Sequence, residues 1–278
     1  MTKHILTAAF VLGAGAAMAE PSVERGEYLV RGPMGCGNCH TPMGPDGPMQ
    51  DMELAGRLVE KNDMFTAIAP NITPYGPAGS WSDAELARAI REGIRPDGSV
   101  IGPPMPFTFY RNLGDDDLMS VVMFLRTLPE VENDPGKSTY NIPLPPAYGP
   151  PVESVTAPER GVTVEYGEYM AGPIAHCMEC HTPMGPQGPM VETDLGRGGF
   201  EFHGPWGTSV AANITPHEDG IAGYSDAELE AMITEGVRPD GTRMKPPMPY
   251  GYLARMTPED LDAIVLYLRD LPPLPDAE

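Results

Sequence analysis

Four cysteines stand in the chain as two pairs, Cys36-Gly37-Asn38-Cys39 and Cys177-Met178-Glu179-Cys180, and a histidine follows each pair at once, His40 and His181. Two thiols on one helical turn can add to the two vinyl groups of a single porphyrin, and the next residue then offers an imidazole nitrogen to the iron. The spacing predicts two covalently bound haem c groups. Cys36, Cys39, Cys177 and Cys180 are their attachment points, and His40 and His181 are iron ligands. Structural disulfides would suit an exported chain but give no reason for a histidine after both pairs. A zinc site needs four ligands together, and no second pair lies within zinc-ribbon distance of the first. A thioredoxin-like motif expects a βαβ context, whereas Gly/Pro-rich sequence with helical flanks surrounds these pairs.

The opposite axial position is either open or filled from a distant loop. The chain has 18 methionines, so a lone Met says little. Met43 and Met184 come three residues after the histidines, too soon to reach across a porphyrin, and Met49 and Met190 share the difficulty in milder form. Met105 and Met248 differ in kind. Each sits in P-P-M-P before Phe107 or Tyr250, a run whose proline φ angles stiffen the backbone. They follow their histidines by 65 and 67 residues. Both are expected to complete the iron coordination. His176, His203 and His217 lack counterparts in the first half and are read as ordinary polar residues.

These residues recur because long stretches of the chain recur. Gly26 to Met49 returns as Gly167 to Met190, N-I-T-P at Asn71 returns at Asn213, and S-D-A-E-L follows both Trp81 and Tyr224. R-P-D-G occurs at Arg95 and Arg238, and P-P-M-P at Pro103 and Pro246; the offset drifts only from 141 to 143 residues. Two copies of one unit fit this, not a solenoid of many short repeats. The expected division is a signal peptide at 1–19, a first unit at 20–130, a Pro-rich linker at 131–158 and a second unit at 159–278. The linker favours an extended, fairly stiff course; both a free swing and a course against the units stay open.

The units read as helices separated by long loops. Ser82 with Glu85 and Ser225 with Glu228 match the capping box, with Gly93 and Gly236 as stop signals. The closing helices carry Leu118, Val121, Val122, Leu125 and Leu128, and Leu261, Ile264, Val265, Leu268 and Leu271, on one stripe each. Thr257-Pro258 supplies an N-cap and a first-turn proline. No strand ladder stands out, so the expected fold class is all-α.

At 278 residues the chain has room for about two domains. A hydrophobic share of 41% argues against wholesale disorder. The formal charge of −21 disfavours nucleic acid and anionic lipid and suits cationic protein surfaces. Lys3 and His4, the apolar run from Ile5 to Ala17 and Ala17-Met18-Ala19 match an export signal. No later segment is apolar and long enough to span a bilayer, so the expected location is the periplasm. Asn71, Asn213, Trp81, Arg57, Arg197, Arg95 and Arg238 are candidates for lining the haem pockets or pairing with propionates. The Asp115-Asp116-Asp117 triplet is read as a helix N-terminus where negative charge is favourable.

With these motifs assembled, each half resembles a class I cytochrome c domain, and the whole chain is similar to dihaem cytochromes c and to cytochrome subunits of periplasmic dehydrogenases. The resemblance covers residues 22 to 274. It implies two tandem cytochrome c-like domains, one haem held by Cys36, Cys39, His40 and Met105 and the other by Cys177, Cys180, His181 and Met248. It implies a small residue of the first helix meeting an aromatic of the last, Gly26 with Phe124 and Gly167 with Tyr267. The implied function is electron transfer between a donor dehydrogenase and a cytochrome or oxidase acceptor. A catalytic dihaem oxidoreductase, thiosulfate dehydrogenase-like or peroxidase-like, would need one iron with a labile or missing ligand, and both halves offer the same methionine.

Overall fold

The computed structural model describes residues 20–186 and 188–276, and the expected signal peptide at 1–19 lies outside the described residues. Helix α1 (Val23–Arg31) begins where the Ser22 hydroxyl accepts the Arg25 amide, and α2 (Cys36–His40) follows after a turn. The loop beyond holds strands β1 (Met43–Gly44), β2 (Gly47–Pro48), β3 (Arg57–Lys61) and β4 (Phe65–Ala69). Helix α3 (Asp83–Glu92) carries the full Ser82–Glu85 capping box and stops at Gly93, whose φ of 69° favours glycine. Helices α4 (Phe107–Tyr110) and α5 (Asp115–Thr127) close the half, and β5 (Thr139–Tyr140) lies in the linker.

The second half follows the same order. Helix α6 (Val164–Tyr169) runs into a π turn, Met170–Ile174, and then α7 (Cys177–Cys180). Strands β6 (Met184–Gly185), β7 (Gly188–Pro189), β8 (Glu201–Gly204) and β9 (Gly207–Val210) precede α8 (Asp226–Glu235), α9 (Tyr250–Leu253) and α10 (Pro258–Asp270). The Ser225–Glu228 capping box and the Thr257 N-cap are both formed.

In each half the first helix lies directly on the last, and a glycine permits the approach. A Cβ on Gly26 would fall 1.9 Å from the Ser120 carbonyl oxygen and 2.7 Å from Phe124 Cβ. On Gly167 it would fall 2.0 Å from the Ala263 oxygen and 2.7 Å from Tyr267 Cβ. The glycine–aromatic pairs expected from the resemblance are therefore in contact. Leu29, Leu113 and Val122 of the first half and Ile174, Ile264 and Leu268 of the second belong to one buried cluster.

The all-α expectation is overturned. The described residues are 35% helical and 12% strand, with several small sheets. Strand β4 buries alternate residues, Phe65, Ala67 and Ala69, and pairs antiparallel with β3 on one side and β5 on the other. Sequence reading missed this sheet because β3 is polar, β5 is two residues long, and β5 comes from the linker about seventy positions away. β8 and β9 form a second hairpin, and β1–β2 and β6–β7 form two-residue hairpins in Gly/Pro-rich sequence.

The linker follows the first half instead of swinging free. The Ser138 hydroxyl bridges the Ile68 amide and carbonyl at 2.9 and 3.1 Å, the Tyr148 ring stacks on Phe107 at 4.9 Å, and the Asp115 amide donates to the Val155 carbonyl at 2.9 Å.

The halves meet through reciprocal contacts. The Tyr28 hydroxyl donates to Asp260, and the Tyr169 hydroxyl donates to Asp117 at 2.9 Å. The amides that open the closing helices answer in kind: Thr257 donates to Tyr28 Oη at 3.2 Å and Gly114 to Tyr169 Oη at 3.0 Å. Asp117 also takes Arg25 Nε at 2.8 Å and Arg160 at 3.4 Å. The acidic triplet thus serves structure, as its helix position suggested: Asp115 takes Arg91 at 2.6 Å, and Asp117 holds the two halves together.

Candidate functional site

The cysteine pairs lie on α2 and α7 as free thiols, each pair on a single helical turn. Burial, with a smaller push from Cys39, raises the Cys36 thiol to about 12, and burial raises Cys177 to about 11 and Cys180 to about 12. These thiols are neutral near pH 7, and neutral thiols are poor metal ligands and poor nucleophiles. Among the described residues, no three His, Cys, Asp or Glu side chains group to hold a metal by themselves.

Each histidine at the end of its motif is fixed by the backbone. His40 Nδ1 lies 2.8 Å from the Pro70 carbonyl oxygen, and His181 Nδ1 lies 2.7 Å from that of Ala212. A carbonyl only accepts, so each Nδ1 carries the proton and each Nε2 keeps its lone pair. Burial holds both imidazoles below their ordinary pKa, which keeps them neutral. The histidine carbonyls are tied as well, taking the Gly56 amide at 2.6 Å and the Gly198 amide at 2.7 Å. Those glycines have φ of 87° and 77°, and a Cβ would fall 2.6 and 2.5 Å from the Asn71 and Asn213 amides. Thr41 and Thr182, directly after the histidines, are buried and accept the Leu54 and Gly196 amides.

The asparagines of N-I-T-P serve this clamp, with both ends of each side-chain amide bonded within the protein. Asn71 Oδ1 accepts the Thr73 amide at 3.0 Å while Nδ2 donates to the Val131 carbonyl at 2.8 Å. Asn213 does the same with Thr215 at 2.9 Å and the Leu274 carbonyl at 2.7 Å. Each holds the segment after its closing helix against the loop whose preceding carbonyl orients the histidine. Sequence reading placed these residues beside the site but missed the carbonyls of Pro70 and Ala212 and the two threonines. The threonine signal was present, since T follows both C-x-x-C-H motifs.

The arginine candidates separate. Arg57 Nη2 donates to the Asn38 carbonyl at 2.8 Å, inside the first motif, while its buried Nε has no partner. An unpaired buried donor beside an attachment turn suits a group carrying carboxylates. Arg95 closes its own turn on the Val100 carbonyl, and Arg197 holds the tail at Pro275 and Asp276. The Arg238 amide closes the matching turn on the Thr242 carbonyl at 2.9 Å. The Trp81 carbonyl accepts Arg126 at 2.5 Å.

Met105 and Met248 are half-buried in equivalent turns, whose carbonyls accept the Phe107 amide at 2.9 Å and the Tyr250 amide at 3.0 Å. Met43 and Met184 stand out on the hairpins, 53% and 49% exposed, away from any buried role. The two motifs face each other across the interface between halves. Cys39 is among the groups that push the Cys180 thiol up, after burial, the Glu179 carboxylate and the Cys177 thiol of its own turn. The Tyr252 ring of α9 lies 3.7 Å from the Cβ position of Gly35, beside the first motif. His176, read as an ordinary polar residue, meets the Tyr110 ring edge-on at 6.0 Å.

The residues present fit covalent haem: paired neutral thiols on one turn, a neutral imidazole with a free Nε2, and, at the first site, a guanidinium with one buried N–H left unpaired. No family model matches the sequence. The chain is 30% identical over 277 residues to the fructose dehydrogenase cytochrome subunit of Gluconobacter japonicus, covering 91% of this chain and 53% of that protein. It is 29% identical over 259 residues to a diheme cytochrome c-type protein of Cereibacter sphaeroides, covering 86% and 82%. It is 27% identical over 289 residues to the cytochrome c subunit of the quinone alcohol dehydrogenase of Gluconobacter oxydans, covering 93% and 56%. The chain therefore spans little more than half the length of the two dehydrogenase subunits.

Proposed function

The chain is a cytochrome c related to a dihaem cytochrome c-type protein and to cytochrome c subunits of dehydrogenases, and from that premise we propose that it is an exported dihaem cytochrome taking electrons from a dehydrogenase and passing them to a cytochrome or oxidase. Residues 1–19 act as a cleaved signal for the periplasm. Residues 20–130 and 159–278 are duplicated cytochrome c units, joined by 131–158. Cys36 and Cys39 hold one haem c, Cys177 and Cys180 the other. His40 and Met105 ligate the first iron, His181 and Met248 the second.

Haem c, when bound, supplies a one-electron couple at iron. The protein's own part is orientation and exclusion. The Pro70 and Ala212 carbonyls hold the imidazoles in the tautomer that leaves Nε2 free, and the proline-fenced turns present thioethers without large ordering cost. Arg57 offers its Nε to a carboxylate at the first site. Among the described residues no helix is long and apolar enough to cross a membrane, and the acidic surface suits cationic partners.

One observation carries this reading: two carbonyl-oriented neutral imidazoles, each directly after a free thiol pair on a helical turn. Iron and covalent haem per chain, measured on protein from a periplasmic fraction, test it. Two per chain are expected, and one after Cys177→Ala with Cys180→Ala. A chain that carries no covalent haem overturns the reading.

A further inference from the structure

The two methionine turns are built alike but held differently. In the first half the linker lies over the turn: Tyr140 Oη donates to the Pro103 carbonyl at 3.0 Å, and Tyr148 Oη donates to the Ile101 carbonyl at 2.9 Å. The Tyr148 ring also stacks on Phe107 at 4.9 Å, just past Met105. Gly102 makes room for this, since a Cβ there would fall 2.3 Å from the Tyr140 ring. The P-P-M-P runs align Gly102 with Lys245, so the second half has a long side chain where the first needs none. Lys245 Nζ donates instead to the Thr208 carbonyl of β9 at 3.1 Å. A tyrosine strap of the Tyr140 kind cannot seat over that position. Lys245 and Pro246 are exposed, whereas their counterparts Gly102 and Pro103 are buried and half-buried; Pro104 and Pro247 are exposed alike.

The geometry points to Tyr140 and Tyr148 as positioning residues that lock Met105 over its iron, leaving Met248 the ligand that an outside donor displaces first. This rests on the reading of Met105 and Met248 as axial ligands. The strap acts through the backbone on both sides of Pro103, which limits how far the Met105 turn can swing away. Each hydrogen bond of this class shifts an equilibrium by roughly two- to tenfold.

Imidazole titration of the oxidised dihaem protein tests the inference, followed by the absorbance band of methionine-ligated ferric haem. Two phases of similar amplitude are expected, with midpoints at least about tenfold apart. Met248→Ala should abolish the low-concentration phase and Met105→Ala the high one. The Y140F/Y148F variant keeps both rings and removes only the hydroxyls. It should bring the high phase down toward the low one and leave the low one in place. A single phase, an easy phase belonging to Met105, or phases unmoved in Y140F/Y148F would overturn the proposal. Should either alanine variant keep the full band, the ligand reading itself falls, an outcome separate from failure of the strap.

Discussion

At the scale of single residues, the site is an exercise in fixing an imidazole by its back edge. The carbonyl that orients each histidine belongs to the residue just before an N-I-T-P asparagine, and that asparagine is locked at both ends of its amide. Asn213→Ala would strand the buried Thr215 amide and leave the Leu274 carbonyl with the Thr215 hydroxyl alone, at 3.1 Å. The expected cost is about 1–3 kcal/mol of stability, seen as a lower midpoint in urea unfolding with the slope unchanged. Loss at the His181 site is expected first, because Ala212 is the neighbour set free. Thr182→Val, which removes the acceptor for the Gly196 amide at 3.2 Å while nearly preserving shape, should cost about 1–3 kcal/mol by the same measure.

At the scale of elements, the close crossing of α1 on α5 rests on a missing methyl group. Gly26→Ala would drive a carbon into the Ser120 carbonyl, so the helices must separate; a loss of about 3 kcal/mol or more is expected on thermal unfolding. Gly251→Ala, in α9 with open space around it, should be neutral or stabilising by up to about 1 kcal/mol. Much at this scale was readable in advance. The cap residues of α3, α8 and α10 and the C-x-x-C-H turns act through partners within a few positions or through a recurring pattern, whereas the Gly26–Phe124 contact came only from the resemblance. Other features were not readable. β5 pairs with β4 from the linker, and Asn71 reaches Val131 sixty positions on, so no local signal marked either. A short strand recruited by tertiary contact leaves no period in the chain.

At the scale of the whole molecule, Asp117 carries the join. Burial alone would push its carboxyl up, but the hydrogen bonds and charge of Arg25, with Tyr169 and Arg160, outweigh burial and hold it below the ordinary carboxylate range. A depressed carboxylate stabilises the fold above its unfolded pKa, near 3.9 for aspartate, and that stability is lost as pH falls through the lower folded value. Unfolding free energy measured against pH should therefore drop on the acid side. Asp117→Asn should remove about 3–5 kcal/mol at neutral pH and flatten that acid limb. Tyr169→Phe, which takes away the donor to Asp117 and the acceptor for Gly114, should cost about 1–3 kcal/mol.

The Tyr28–Asp260 and Tyr169–Asp117 contacts have the form of an isologous interface, in which i meets j and j meets i, as in a two-fold homodimer. Such a pairing treats its two ends alike and has no preferred direction. Polarity can come only from what breaks the two-fold. Among the described residues the departures at the two sites include Arg57, with its unpaired Nε, against Gly199 in the second half; the tyrosine strap on one methionine turn; and Lys245 on the other. If the chain passes electrons as proposed, side chains of this kind, laid over a symmetric frame, are where a preferred direction would have to reside, and exchanging them between the halves is the way to look for it.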